Sequence, residues 1–97
     1  MARTTIHLMR HGEVHNPEGV LYGRLPGYHL SDLGREMAAQ VADVLSASGH
    51  DVVGVVTSPL ERAVETGAPT AAAFGLEADT DARLTEADNR FEGVPVN

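Results

Sequence analysis

Hydrophobic and polar positions along this chain fall into two periods, one suited to strands and one to helices. Thr4 to Met9 is a short β-rich run that predicts a first, buried strand. After Ser31, the residues Leu33, Met37, Val41, Val44 and Leu45 recur at helical spacing. That pattern predicts a helix capped by Ser31, running to about Ser48, with the stripe turned to a core. Gly49 is its expected stop. Asp51 to Thr57 is too apolar for a solvent-facing strand and predicts a second buried one. A second helix is expected from Ser58-Pro59, with Pro59 near its first position, where a missing N–H does no harm. Pro69 predicts a kink or break near Ala68, Gly75 a stop, and Leu76 to Thr80 a third short strand.

This order is that of an α/β domain with a mainly parallel sheet and right-handed crossovers. No repeat or linker divides the chain, so residues 1–97 read as part of one domain, with an irregular tail from Ala82 to Asn97. Arg10 to Leu30 is the exception to the regular pattern. It is long and punctuated by Gly12, Pro17, Gly19, Gly23, Pro26 and Gly27. Loops of that length are uncommon in compact domains and are usually functional.

Composition narrows the classes. Seven basic against fourteen acidic side chains give a net charge of −7, and all seven cations are arginine. A diffuse negative field disfavours nucleic acid and anionic membranes, so any phosphate site must be a local arginine cluster. The absence of cysteine excludes disulfides and thiolate metal sites. No run approaches the ~18 apolar residues of a membrane span, and the N-terminus has no signal-like apolar region. A cytoplasmic address is the simplest expectation.

Candidate chemistry gathers at the predicted strand ends, which face one crevice in a parallel sheet. Arg10, His11 and Gly12 follow the first strand, and Asn16 lies in the same loop with an amide donor to offer. Arg62 follows the second strand, near a helix start whose partial positive charge favours anions. Glu86 follows the third. An imidazole can attack phosphorus while guanidinium groups hold its oxygens, and Gly12 lets substrate approach the backbone. Arg24 can meet a second anionic group or be a solvated loop arginine. His11 and His15 lie in a segment too rich in glycine and proline to align them as metal ligands on a helix, and no metal site is expected.

The blocks Leu8-Met9-Arg10-His11-Gly12-Glu13, Asn16, Leu30-Ser31-Asp32-Leu33-Gly34, Ser58-Pro59-Leu60-Glu61-Arg62-Ala63-Val64-Glu65-Thr66, Leu84-Thr85-Glu86 and Phe91-Glu92-Gly93 occur in that order. Together they resemble the histidine phosphatase superfamily, the phosphoglycerate mutase-like enzymes. The resemblance implies a three-layer αβα fold with a mainly parallel sheet. It implies His11 as the nucleophile that becomes phosphohistidine, Arg10 and Arg62 as the phosphoryl clamp assisted by Asn16, and Glu86 as general acid, then base. It also implies no cofactor, since arginines neutralise the charge that a metal handles elsewhere. Family members commonly have a glycine between that glutamate and the later Glu-Gly, and here there is none. They also have a second active-site histidine in a downstream His-Gly motif, which these residues do not contain. On this reading the chain is the N-terminal half of such a domain.

The expected reaction is hydrolysis of a small phosphorylated metabolite. Mutase-type phosphotransfer is the alternative, but mutases continue the first motif as Glu-Ser-x-x-Asn, where this chain has Glu13-Val14-His15-Asn16. A non-catalytic phosphate-binding fragment is the third reading. An unpaired sheet edge and uncovered helix faces lead us to expect self-association as a dimer or larger species.

Overall fold

The computed structural model describes residues 3–85. Two helices and a short parallel sheet follow one another in the chain: α1 (Asp32–Ala47), β1 (Val56–Thr57), α2 (Glu61–Ala73) and β2 (Asp79–Thr80), then a 3-10 turn over Ala82–Leu84. β1 and β2 pair in parallel, Val56 with Asp79 and Thr57 with Thr80, so the β1–α2–β2 segment is the crossover unit that the sequence order predicts. Glu86 and the rest of the tail lie outside the described residues.

α1 begins as its sequence dictates. Ser31 adopts an extended backbone at the N-cap and its Oγ accepts the Gly34 N–H at 3.1 Å. Gly49 and Gly75 follow the two helix ends with φ of 79° and 66°. Only glycine takes that left-handed position without cost, which is why these helices stop there. α2 starts later than expected, at Glu61, because Leu60 is its N-cap and accepts the N–H groups of Ala63 and Val64. Pro59 is therefore outside the helix.

Pro69 does not break α2, contrary to the sequence expectation. Proline removes one helical hydrogen bond, but Thr66, Gly67, Thr70 and Ala71 are buried around it. Packing across both sides of the proline holds the helix through it.

The stripe that builds the core is also not the expected one. Leu33, Met37, Val41 and Val44 are 50%, 43%, 37% and 60% exposed, whereas Gly34, Ala38 and Ala42 are buried. These three lie four residues apart on one face of α1, which packs against α2. Small side chains let the helix axes approach, so proximity rather than side-chain size selected the buried face.

The run Thr4–Met9 is likewise exposed and pairs with no strand among the described residues, Ile6 at 77% and Leu8 at 95%. Of Asp51–Thr57, only Val56 and Thr57 enter the ladder. A strand exists by virtue of its partners, and neither run finds more of them within residues 3–85. The sheet is short and open as a result.

Arg10 to Leu30 forms the long loop that the glycines and prolines predict. An antiparallel bridge between Val14 and Leu30 closes it, with His15 N–H donating to the His29 carbonyl at 2.8 Å. Ser31 N–H donates to the Glu13 carbonyl at 2.9 Å, which fixes the loop base to the start of α1. Gly34 lies directly under this join. A Cβ there would overlap the Glu13 carbonyl oxygen and stand 3.1 Å from its carbon.

Gly34→Ala should therefore destabilise the protein by about 1–3 kcal/mol, although the same exchange at an open helical position stabilises. Urea unfolding of the two proteins checks the sign.

Candidate active site

The largest fully buried side chain in the described structure is a charged one. Arg62, one residue into α2, is only 1% exposed. Its Nη1 donates to the Leu25 carbonyl at 3.2 Å and its Nη2 to the Gly23 carbonyl. Its guanidinium carbon stands 4.6 Å from the centre of the Tyr22 ring. Cation and ring face attract, all the more strongly out of water. Tyr22 in turn stacks on Tyr28 at 5.3 Å. The Arg62 Nε has no hydrogen-bond partner among the described residues.

His11 lies on the same aromatic ring, its centroid 6.3 Å from that of Tyr22. Its Nδ1 is 2.9 Å from the Gly12 carbonyl oxygen. A carbonyl only accepts, so Nδ1 carries the proton and, in the neutral ring, Nε2 carries the lone pair. Tyr22 thus brings together two groups that the chain holds far apart, one from the loop and one from α2.

The other expected site residues are placed differently. Arg10 is exposed on the segment before His11. Asn16 closes a small ring on Val20: its Nδ2 donates to the Val20 carbonyl at 2.8 Å and its Oδ1 accepts the Val20 N–H at 3.0 Å. One amide hydrogen and the acceptor thus shape the loop. Gly12 packs on α1, where a Cβ would meet the Met37 sulfur at 2.9 Å, so the missing side chain makes room for a helix. Arg24 is exposed.

A second cluster clasps the loop onto both helices. Glu65 accepts the Leu30 N–H at 2.9 Å, meets His29 Nδ1 at 3.0 Å and accepts from Arg35 Nη2 at 2.8 Å. Glu61, one turn earlier, accepts the Gly27 N–H. Burial acts to raise the Glu65 carboxyl, but the Leu30 N–H, His29 and the Arg35 charge together hold it below the ordinary glutamate value. Beside this clasp an open depression of about 510 Å³ is bordered by Glu13, His15, His29 and Asp32. Neither His11 nor Arg62 lines it, and its border mixes the carboxylates of Glu13 and Asp32 with Arg35.

Among the described residues no group of three or more His, Asp or Glu side chains is placed to hold a metal ion. No helix there is long and apolar enough to cross a membrane.

Comparison with known proteins identifies the lineage. The family model of the histidine phosphatase superfamily (branch 1) matches residues 6–96. The chain belongs to the histidine phosphatase superfamily. The Mycobacterium tuberculosis protein Rv0525 is 57% identical over 93 residues, covering 96% of this chain and 45% of that protein. The bifunctional protein Rv2228c of the same organism is 32% identical, covering 94% of this chain and 25% of that one. The structure of mycobacterial glucosyl-3-phosphoglycerate phosphatase Rv2419c superposes with a TM-score of 0.75 at 31% identity, over 87% of this chain and 39% of that one. Its complex with VO3 gives 0.76, over 88% and 42%. The chain thus spans less than half the length of these histidine phosphatase relatives. The α/β fold that the motifs imply is the N-terminal portion of the superfamily's fold.

Two residues of this histidine phosphatase chain were not singled out by sequence reasoning. Tyr22 had a signal, an aromatic in a glycine-rich loop beside the motif. Glu65 had a fainter one, its four-residue spacing from Glu61, which puts both on one helix face.

Glu65 should make stability depend on pH. Its folded pKa is depressed, so its contribution is complete above the ordinary value of 4.5 and is lost as pH falls through the lower folded value. Glu65→Gln should be less stable than the parent at pH 7, with the gap closing in acid. Thermal unfolding across that range measures it.

Proposed function

We propose that this chain carries the phosphoryl-binding part of a phosphomonoesterase that acts on a small phosphorylated metabolite through a phosphohistidine. Residues 1–97 would be the N-terminal part of a single catalytic domain. The observation that supports this most directly is the meeting of His11 and Arg62 at the Tyr22 ring. A nucleophile and a guanidinium set against one aromatic ring, 6.3 Å and 4.6 Å from its centre, suit phosphoryl transfer, which asks a protein for positioning and charge stabilisation.

The Gly12 carbonyl holds the proton on Nδ1, so the Nε2 lone pair attacks phosphorus. The Nε2–P bond forms as the bond to the leaving oxygen breaks. Arg62 and Arg10 take the charge on the phosphoryl oxygens, with Asn16 and Gly12 shaping the loop that carries His11. Glu86 protonates the leaving oxygen and then removes a proton from the water that cleaves Nε2–P, a role that rests on the family motif. Arg24, exposed on the neighbouring loop, is suited to a second anionic group. The similarity to a solved phosphatase, glucosyl-3-phosphoglycerate phosphatase Rv2419c, favours hydrolysis over isomerisation. The exposed Ile6, Leu8, Val53 and Val56 support self-association.

A protein that joins this chain to the rest of such a domain should, with glucosyl-3-phosphoglycerate, give orthophosphate and an acid-labile phosphate on His11. His11→Ala should lose both, and Arg62→Ala should weaken phosphate binding by about ten- to a hundredfold. Isomerised substrate without orthophosphate would instead mark a mutase. A His11→Ala protein that still hydrolyses substrate at the parent rate would falsify the assignment.

A further inference from the structure

The geometry points to Glu65 as a positioning residue, one that fixes the His11 loop relative to Arg62 without touching substrate. The inference rests on the reading of His11 and Arg62 as partners in phosphoryl transfer. Those two groups sit on different elements, so something must set their separation. The Tyr22 ring touches both but is itself part of the loop.

Glu65 supplies the connection from the helix side. It stands three residues after Arg62 on α2, so both side chains leave the same face of the helix. Its carboxylate takes the Leu30 N–H at 2.9 Å. Leu30 pairs with Val14 in the bridge that closes the loop, and His29 and Ser31 on either side bond to His15 and Glu13 at 2.8 and 2.9 Å. Glu13 is two residues from His11. The path from the Arg62 helix to the nucleophile therefore runs from Glu65 to the Leu30 N–H, one residue along the chain to Ser31, from its N–H to the Glu13 carbonyl, and along the chain to His11.

α1 braces the same carboxylate. Arg35 Nη2 holds its second oxygen at 2.8 Å, and that oxygen also meets His29 Nδ1 at 3.0 Å. Glu65 thus binds three segments at once: the loop through Leu30 and His29, α1 through Arg35, and α2 through its own backbone. Its side chain is 17% exposed, so water reaches the carboxylate only in part, while Arg35 and His29 approach it from the solvent side at 56% and 52% exposure. Loss of the carboxylate leaves the Leu30 N–H without an acceptor and frees the bridge from α2. The helices keep their own packing through Ala38, Ala42 and Ala71.

The test is NMR on the full chain, with Glu65→Ala, Glu65→Gln and inorganic orthophosphate as the probe. In Glu65→Ala the His11 and Tyr22 ring signals should move. The amides of His15, Leu30 and Ser31 should exchange about tenfold faster while interior amides of α1 and α2 keep their protection. Glu65→Gln keeps an oxygen for the Leu30 N–H and should leave the ring signals in place, a rescue that a role through charge alone would not show. Orthophosphate should bind Glu65→Ala about tenfold more weakly than the parent and Glu65→Gln within about threefold. Unmoved ring signals in Glu65→Ala overturn the inference, as does unchanged or tighter orthophosphate binding. Should Glu65→Ala fail to fold, exchange in the parent chain decides. Common opening of His15, Leu30 and Ser31 supports the inference, and independent opening of Leu30 overturns it. A parent chain whose His11 signal ignores orthophosphate counts against the phosphatase reading, and the ligand-free ring signals then still judge Glu65.

Discussion

Burial of the Arg62 guanidinium is the constraint around which the described structure is arranged. A cation taken out of water costs several kcal/mol unless its surroundings replace the lost hydration. Among the described residues no carboxylate pairs with it. Two loop carbonyls, from Gly23 and Leu25, and the face of Tyr22 take that role. Those groups come from a segment without regular structure, so the loop has to fold back onto α2 for the helix to keep Arg62 inside. Glu61 and Glu65 then pin the same loop from positions on either side of Arg62. Three polar anchors within five residues of one helix, Glu61, Arg62 and Glu65, give a glycine-rich segment the fixed path that its sequence alone does not impose.

The second requirement is that α1 and α2 approach closely enough to share this loop. The seam of Gly34, Ala38 and Ala42 meets a face of α2 on which Thr66, Thr70 and Ala71 are buried. Thr66 bonds its own helix, its hydroxyl donating to the Arg62 carbonyl at 2.7 Å, so its burial leaves no donor unsatisfied. Gly34 links seam and loop, since the Glu13 carbonyl rests where its side chain would be. Helix packing and the placement of His11 are in this sense one piece of geometry.

Local signals in the sequence were legible because they are decided within a few residues. The Ser31 cap, the Gly49 and Gly75 stops and the parallel crossover all follow from short-range rules. The superfamily was legible from the joint spacing of its motifs. What the sequence did not reveal depends on distant partners. The buried face of α1 was misassigned because periodicity ranks faces by hydrophobicity, whereas the helices met on their smallest residues. Thr4–Met9 carries a strand's composition, yet no ladder partner lies within residues 3–85. Pro69 broke a local rule that packing on both sides overrode. The hydrogen bonds of the Asn16 amide to Val20 are a further use of that side chain that its place in a motif did not announce. Tyr22 and Glu65 touch groups tens of residues away, and no window along the chain displays that.

The large apolar side chains that residues 3–85 leave outward carry a consequence for this segment in solution. Ile6, Leu8, Val53 and Val56 present a greasy surface on a molecule whose net charge is −7. The two features oppose each other in every encounter between copies. The charge acts over the Debye length, about 8 Å at physiological ionic strength and about 30 Å at 0.01 M, whereas apolar contact acts only at touching distance. Dilute buffer thus keeps copies apart before the apolar surfaces can meet, and added salt shortens the guard without weakening what it guards against. Ionic strength therefore sets how closely two such surfaces approach.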